Sequence, residues 1–142
     1  MLEVSFYILS EAYATGQDVF ACKLAEKGFR LGTCSVIYTE SEAHSKSMDD
    51  LLWTFRNTSF VPHQIYNGQS PVNDRQIFIC TGFLPALESM TVINLAPLCP
   101  KEFERCARIL EIVGSDDNAK QAGRQRYRHY QQAGAKLVTH NL

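Results

Sequence analysis

The run VSFYIL at residues 4–9, the polar connection SEAYATGQD at 10–18, the helical-period segment 18–31 and the run SVIYT at 35–39 decide the fold. Both apolar runs are short and rich in β-formers, which predicts buried strands. Between them Phe20, Leu24 and Leu31 fall within about 40° of one another on a helical wheel, and Gly32 stands where a glycine commonly ends a helix. A strand, a helix and a second buried strand predict a parallel crossover unit.

The pattern continues outward. Thr39 and Glu42 have capping-box spacing for a helix ending near Phe55, with Met48, Leu51, Leu52 and Phe55 as its apolar stripe. After SFVPH (59–63) and the turn-rich NGQSPVND (67–74), strands are expected at 76–80 (QIFIC) and 91–95 (TVINL). Pro100 introduces an expected helix at 101–107, ILEIV at 109–113 reads as the last strand, and DDNAKQAGRQRYRHYQQAG at 116–134 as the terminal helix. The whole predicts an α/β fold: a three-layer sandwich with a largely parallel sheet, spanning residues 1–142 as one domain.

Composition narrows the function. The chain has 142 residues, is 45% hydrophobic and carries a formal net charge of −1, so no global basic field drives it onto phosphate backbones. Its five cysteines are odd in number and form no C-x-x-C pair, which reads as buried thiols in a reducing cytoplasm. The start MLEVSFYIL lacks a cationic leader, and no apolar run approaches the length of a membrane span, so a soluble, non-exported protein is expected.

A parallel sheet raises the question of a nucleotide site at the carboxyl ends of its strands. The connection at 10–18 holds a single glycine, Gly16, and neither G-x-G-x-x-G nor G-x-x-x-x-G-K-[ST] occurs, so no nucleotide-binding glycine motif is present. Cys80 is followed by Thr81, Gly82 and FLPALESM, without the arginine a phosphate-handling thiolate needs, and reads as a buried strand cysteine. His44, His63, His129 and His140 have no pairing that makes a metal site or general base, which leaves local bonding or solvent exposure. No cofactor and no metal are expected.

Two features stand out. On the terminal helix Lys120, Arg124, Tyr127 and Arg128 share about 100° of the wheel, opposite a stripe of Ala119, Ala122, Gly123, Tyr130 and Ala133 that lets the helix lie close to a sheet. Such a face suits an anion beside something flat or apolar; the bland alternative is a solvated basic stripe. Arg126 lies off it, and its loss is expected to matter much less there than the loss of Arg124. Gly123 lowers helix propensity by up to about 1 kcal/mol relative to alanine. The second feature is Trp53, which projects about 140° from Met48, with Phe60 close by in a pre-proline segment. These aromatics form either a small core cluster under the loop or a partner hot spot.

The FYIL start, the helix at 22–32, the D-x-L-W element at 50–53, SFVPH at 59–63 and, above all, AKQAGRQRYRHYQQAG at 119–134 resemble the chi-subunit family of bacterial DNA polymerase III holoenzyme. The resemblance covers essentially the whole chain. It implies a noncatalytic, cytoplasmic clamp-loader accessory protein of the replisome, with a Rossmann-like fold that has lost the nucleotide site. It further implies that Lys120, Arg124, Tyr127 and Arg128, with Val113 as an apolar wall, bind the acidic C-terminal tail of single-stranded-DNA-binding protein. That tail ends in an apolar residue and a free carboxylate. Trp53, Phe60 and Pro62 would belong to a surface for the psi subunit, which a DNA-repair helicase can also use, and DNA would be contacted indirectly. Two rivals from other classes are a small α/β enzyme and a direct single-stranded-DNA-binding module.

Overall fold

In the computed structural model the described residues are 2–11, 16–33, 35–54, 62–66, 77–82 and 90–142. Seven strands, β1 (Glu3–Ile8), β2 (Ser35–Thr39), β3 (His63–Ile65), β4 (Ile77–Thr81), β5 (Thr91–Asn94), β6 (Arg108–Val113) and β7 (Lys136–Asn141), form one sheet in the order β3-β4-β2-β5-β6-β1-β7. Every pairing is parallel. Helices α1 (Gly16–Arg30) and α2 (Glu42–Thr54) cover one face, and α3 (Asp117–Gln132) covers the other.

Strand alternation builds the two cores. Val4, Phe6, Val36, Phe78, Val92, Ile109 and Val113 point toward α3, where Tyr130 and Phe103 complete the cluster. Ile37, Ile77, Ile79, Ile93, Leu110 and Ile112 point the other way and meet Ala21, Cys22 and Ala25 of α1 and Met48 and Leu52 of α2. Strands buried on both faces are the physical reason the sequence reads as unbroken apolar runs.

Several expectations need correction. Leu31 is 74% exposed; Phe20 and Leu24 do pack against the core, while the fully buried residues of α1 are Ala21, Cys22, Ala25 and Glu26. The cap of α2 is Ser41, whose Oγ accepts from the His44 amide at 3.1 Å. Thr39 instead hydrogen-bonds across the sheet to Thr81 at 2.8 Å and to Ser45 at 2.6 Å. The expected helix at 101–107 is only a 3-10 turn, Phe103–Arg105, preceded by Glu102 in the left-handed region and followed by extended Cys106. The turn serves to drop Phe103 onto Tyr130, with ring centroids 4.9 Å apart. β3 and β7 went unpredicted because edge strands of this composition, HQI and KLVTHN, carry no apolar run.

Arg126 lies off the basic face, as its place on the wheel implies, and has a structural role that the sequence reading did not assign. It is buried on the sheet side of α3, where its Nε donates to Glu111 Oε1 at 2.8 Å and a terminal nitrogen donates to the Pro97 carbonyl at 3.1 Å. The other Glu111 oxygen accepts from Tyr130 Oη at 2.5 Å and from Asn94 Nδ2 at 2.8 Å. Burial pushes the Glu111 carboxyl up, and Arg126 is the strongest influence pulling it back. Burial, with Glu111 beside it, pushes the Tyr130 phenol up as well, so the hydroxyl stays protonated and donates.

Gly123 sets how closely α3 approaches β6. A Cβ there would stand 2.9 Å from Val113 Cγ2, so the missing side chain permits the close packing and the lower helix propensity is its cost.

Removing one member of a buried ion pair leaves an uncompensated charge, which typically costs about 3–5 kcal/mol. Arg126→Ala is therefore expected to destabilise the protein by that order in denaturant unfolding, whereas Arg124→Ala, on the exposed face, is expected to change stability by less than about 0.5 kcal/mol. Equal small losses would contradict the buried network.

Candidate functional site

Helix α3 is held at both ends. Asp116 Oδ1 accepts from the Ala119 amide at 2.7 Å at the N-cap, and Gly134, with φ of 83°, follows the C-cap residue Ala133. Between these ends Gly123, Arg126 and Tyr130 face the sheet, and Lys120, Arg124 and Arg128 are exposed. Ala119 and Ala122 are half-buried and Ala133 is exposed, so the expected small-residue stripe is buried only at its centre.

The exposed face borders a groove of about 630 Å³. Phe6, Ile8 and Val113 supply its apolar walls, and Lys120, Arg124, Tyr127 and Arg128 line it from the helix. The ring of Tyr127 lies against Phe6, centroids 5.4 Å apart and tilted by 54°, which fixes the tyrosine as a wall. None of the three cations is ion-paired with a carboxylate among the described residues. All five expected residues of this face thus border one groove. Gln131, Thr139 and Asn141 also line it, and the two from β7 went unseen because that strand itself was not predicted.

The chemistry available is anion capture beside an apolar slot. A guanidinium offers a planar fork that matches a carboxylate, and low-lying aliphatic and aromatic walls accept a ring or branched side chain. Nucleophilic chemistry has no comparable setting in the described residues. Burial pushes the Cys22 and Cys80 thiols up to about 12 and those of Cys99 and Cys106 up to about 11, so all four are protonated at neutral pH. No group of three or more His, Cys, Asp or Glu side chains is placed to hold a metal among the described residues. The histidines are locally packed: His44 sits 3.0 Å from Asp18, His129 is edge-on to Phe103, and His140 stacks on Tyr7. A smaller cavity of about 270 Å³ lies beside Gln17, His44 and Pro97, at the carboxyl ends of the strands.

The second expected surface is at the far side of the sheet. Trp53, near the end of α2, is 56% exposed and stands outside both core clusters. Its ring packs edge-on against His63, centroids 4.9 Å apart, and His63 Nε2 lies 3.3 Å from Asp49 Oδ1. Pro62 is half-buried, just before β3, and its carbonyl accepts from the Ile77 amide at 2.9 Å. Phe60 lies outside the described residues. Ile65 of β3, 43% exposed, was not singled out from the sequence, where it is one apolar residue in a polar loop.

Solved structures share the fold at low identity. The T4 UvsW crystal structure superposes with a TM-score of 0.72 at 10% identity, covering 99% of this chain and 41% of that one. The C-terminal domain of the DEAD-box protein Dbp5 gives 0.59 at 11%, covering 99% and 90%. The chain thus spans about two-fifths of the UvsW chain. At such identities the likeness concerns architecture alone.

Curated relatives match along their length. A DNA polymerase III subunit chi from Haemophilus influenzae is 31% identical over 96% of this chain and 95% of its own. The Pseudomonas aeruginosa protein of the same name is 29% identical over 100% and 98%, and that of Escherichia coli 26% identical over 98% and 97%. The family described as DNA polymerase III chi subunit, HolC, matches residues 1–138, and with that match the chain belongs to the chi-subunit family of DNA polymerase III.

Proposed function

We propose that this accessory subunit of DNA polymerase III is a noncatalytic adaptor of the clamp loader, joining the psi subunit to the C-terminal tail of single-stranded-DNA-binding protein. The carrying observation is the groove at α3: three exposed cations without carboxylate partners among the described residues border an apolar slot walled by Phe6, Val113 and Tyr127. A peptide ending in an apolar residue has two features within one residue, a side chain to bury and a free carboxylate to pair, and the groove has a partner for each. Arg124 is assigned to the carboxylate. Lys120 and Arg128 attract the acidic residues that precede it, and Val113 and Tyr127 frame the apolar side chain.

A net charge of −1 supports indirect rather than direct contact with DNA. Trp53, Phe60 and Pro62 are assigned to the psi-facing surface, which a DNA-repair helicase can also occupy. The exposed tryptophan supports this, since a large aromatic outside the core has a desolvation gain to offer a partner. The setting is a cytoplasmic replisome; no helix among the described residues is long and apolar enough to cross a membrane.

Loss of a charge-assisted bond to the tail carboxylate costs about 2 kcal/mol, or roughly 30-fold in affinity. Arg124→Ala is expected to weaken a tail peptide by that factor in calorimetry, while Arg105→Ala, away from the groove, leaves affinity unchanged. Equal losses would dismiss the assignment. Arg126→Ala is not a fair control, because it removes the anchor of the helix itself.

Trp53→Ala is expected to abolish copurification of psi and leave tail-peptide affinity and the thermal transition intact. Joint loss of psi binding, peptide binding and the folding transition would show that Trp53 supports the fold instead.

A further inference from the structure

β7 is the last strand of the sheet, and no described strand pairs with its outer side. Its inner side is fixed by the ladder to β1, in which the Lys136 amide donates to the Leu2 carbonyl at 2.9 Å and the Leu142 amide to the Ile8 carbonyl at 3.0 Å. Backbone groups alternate along a strand, so Lys136, Val138 and His140 bond inward while the N–H and C=O of Leu137, Thr139 and Asn141 point outward. The same alternation places the Thr139 and Asn141 side chains on the α3 face, where both line the groove. The free main-chain edge is therefore continuous with the groove.

The edge carries none of the usual protection against pairing beyond one lysine: it is six residues long and contains no proline. It carries the charge of Lys136 and no carboxylate. Lys120, Arg124 and Arg128 add to this field across the groove.

We infer that the outer edge of β7 receives the acidic stretch preceding the terminal apolar residue of the bound tail, by strand addition. This rests on the proposed tail-binding role of the groove and extends it. The terminal residue and its carboxylate occupy the groove, and the upstream backbone pairs with Leu137, Thr139 and Asn141. Main-chain pairing supplies affinity without demanding a fixed acidic sequence, while the basic field selects an acidic one over a neutral one.

The test uses the full chain and an acidic peptide with a free carboxyl end, N-methylated at one upstream amide at a time. Strand pairing uses every second residue, so affinity is expected to fall about tenfold or more at alternate positions and little between them. Thr139→Pro, which removes an outward N–H without touching the β1 ladder, is expected to weaken the long peptide about tenfold. The loss should be clearly larger than that for a peptide of only the last few residues, and the thermal transition should stay in place. Thr139→Val, which keeps that N–H and loses the hydroxyl lining the groove, is expected to weaken both peptides alike and by less than Thr139→Pro weakens the long one.

A uniform or absent effect of N-methylation, with Arg124→Ala still abolishing binding, would overturn strand addition and leave the groove assignment standing. No binding by the unmodified peptide would overturn both. A dimer in sedimentation that Thr139→Pro dissolves, with peptide affinity unchanged, would assign the edge to a second copy of the chain and overturn the inference.

Discussion

The pairing of Arg126 with Glu111 is the interaction on which the rest of the α3 side depends. A carboxylate in the middle of a strand buried from Ile109 to Val113 needs compensation, and it is provided by a guanidinium from the helix, a phenol from the next helical turn and an amide from β5. These partners can all reach Glu111 only when α3 sits in one rotation about its axis. That rotation turns Lys120, Arg124 and Arg128 outward and Tyr127 toward Phe6. Gly123 against Val113 sets the distance as the ion pair sets the angle. A hydrophobic interface alone would tolerate a helix that rolls or slides; a satisfied buried polar network does not.

The two proposed surfaces lie at opposite ends of the same sheet. β3 and α2 carry Ile65, Pro62 and Trp53 at one edge, and β7 and α3 carry the groove at the other. Seven strands at about 4.8 Å spacing separate the edges by roughly 30 Å, enough for two partners to bind without touching. An all-parallel sheet with both faces covered is a rigid spacer for that purpose. The likeness to UvsW and to the C-terminal domain of Dbp5 concerns this sheet-and-helix architecture alone.

Much of this was legible in the sequence where apolar runs are unbroken. The strands at β1, β2, β4, β5 and β6 and all three helices follow from period and length, because burial on both faces leaves few polar residues to confuse the pattern. The two edge strands were not legible, since half their surroundings are water and their composition is that of a loop. The basic face was found by its period. The role of Arg126 was missed although two clues were present: it falls within the small-residue stripe on the wheel, and Glu111 interrupts an otherwise apolar strand. Each is a buried charge by pattern, and two of opposite sign imply one another. The expected helix at 101–107 failed because Pro100 permits a helix without requiring one, and burying Phe103 needed only a single turn.

On the proposed function, the α3 face reads a carboxylate beside an apolar side chain rather than a row of phosphates. Titrating an acidic tail peptide against the protein over a range of salt, with and without its terminal apolar residue, separates the two most directly. Exposed pairs are screened over a Debye length of about 10 Å at 0.1 M salt, whereas burial of an apolar side chain is not. Tail recognition gives a moderate fall in affinity with salt, residual binding at high salt, and no binding at any salt once the terminal residue is deleted. A steep loss with salt that ignores the terminal residue, matched by equally strong competition from single-stranded DNA, would contradict it.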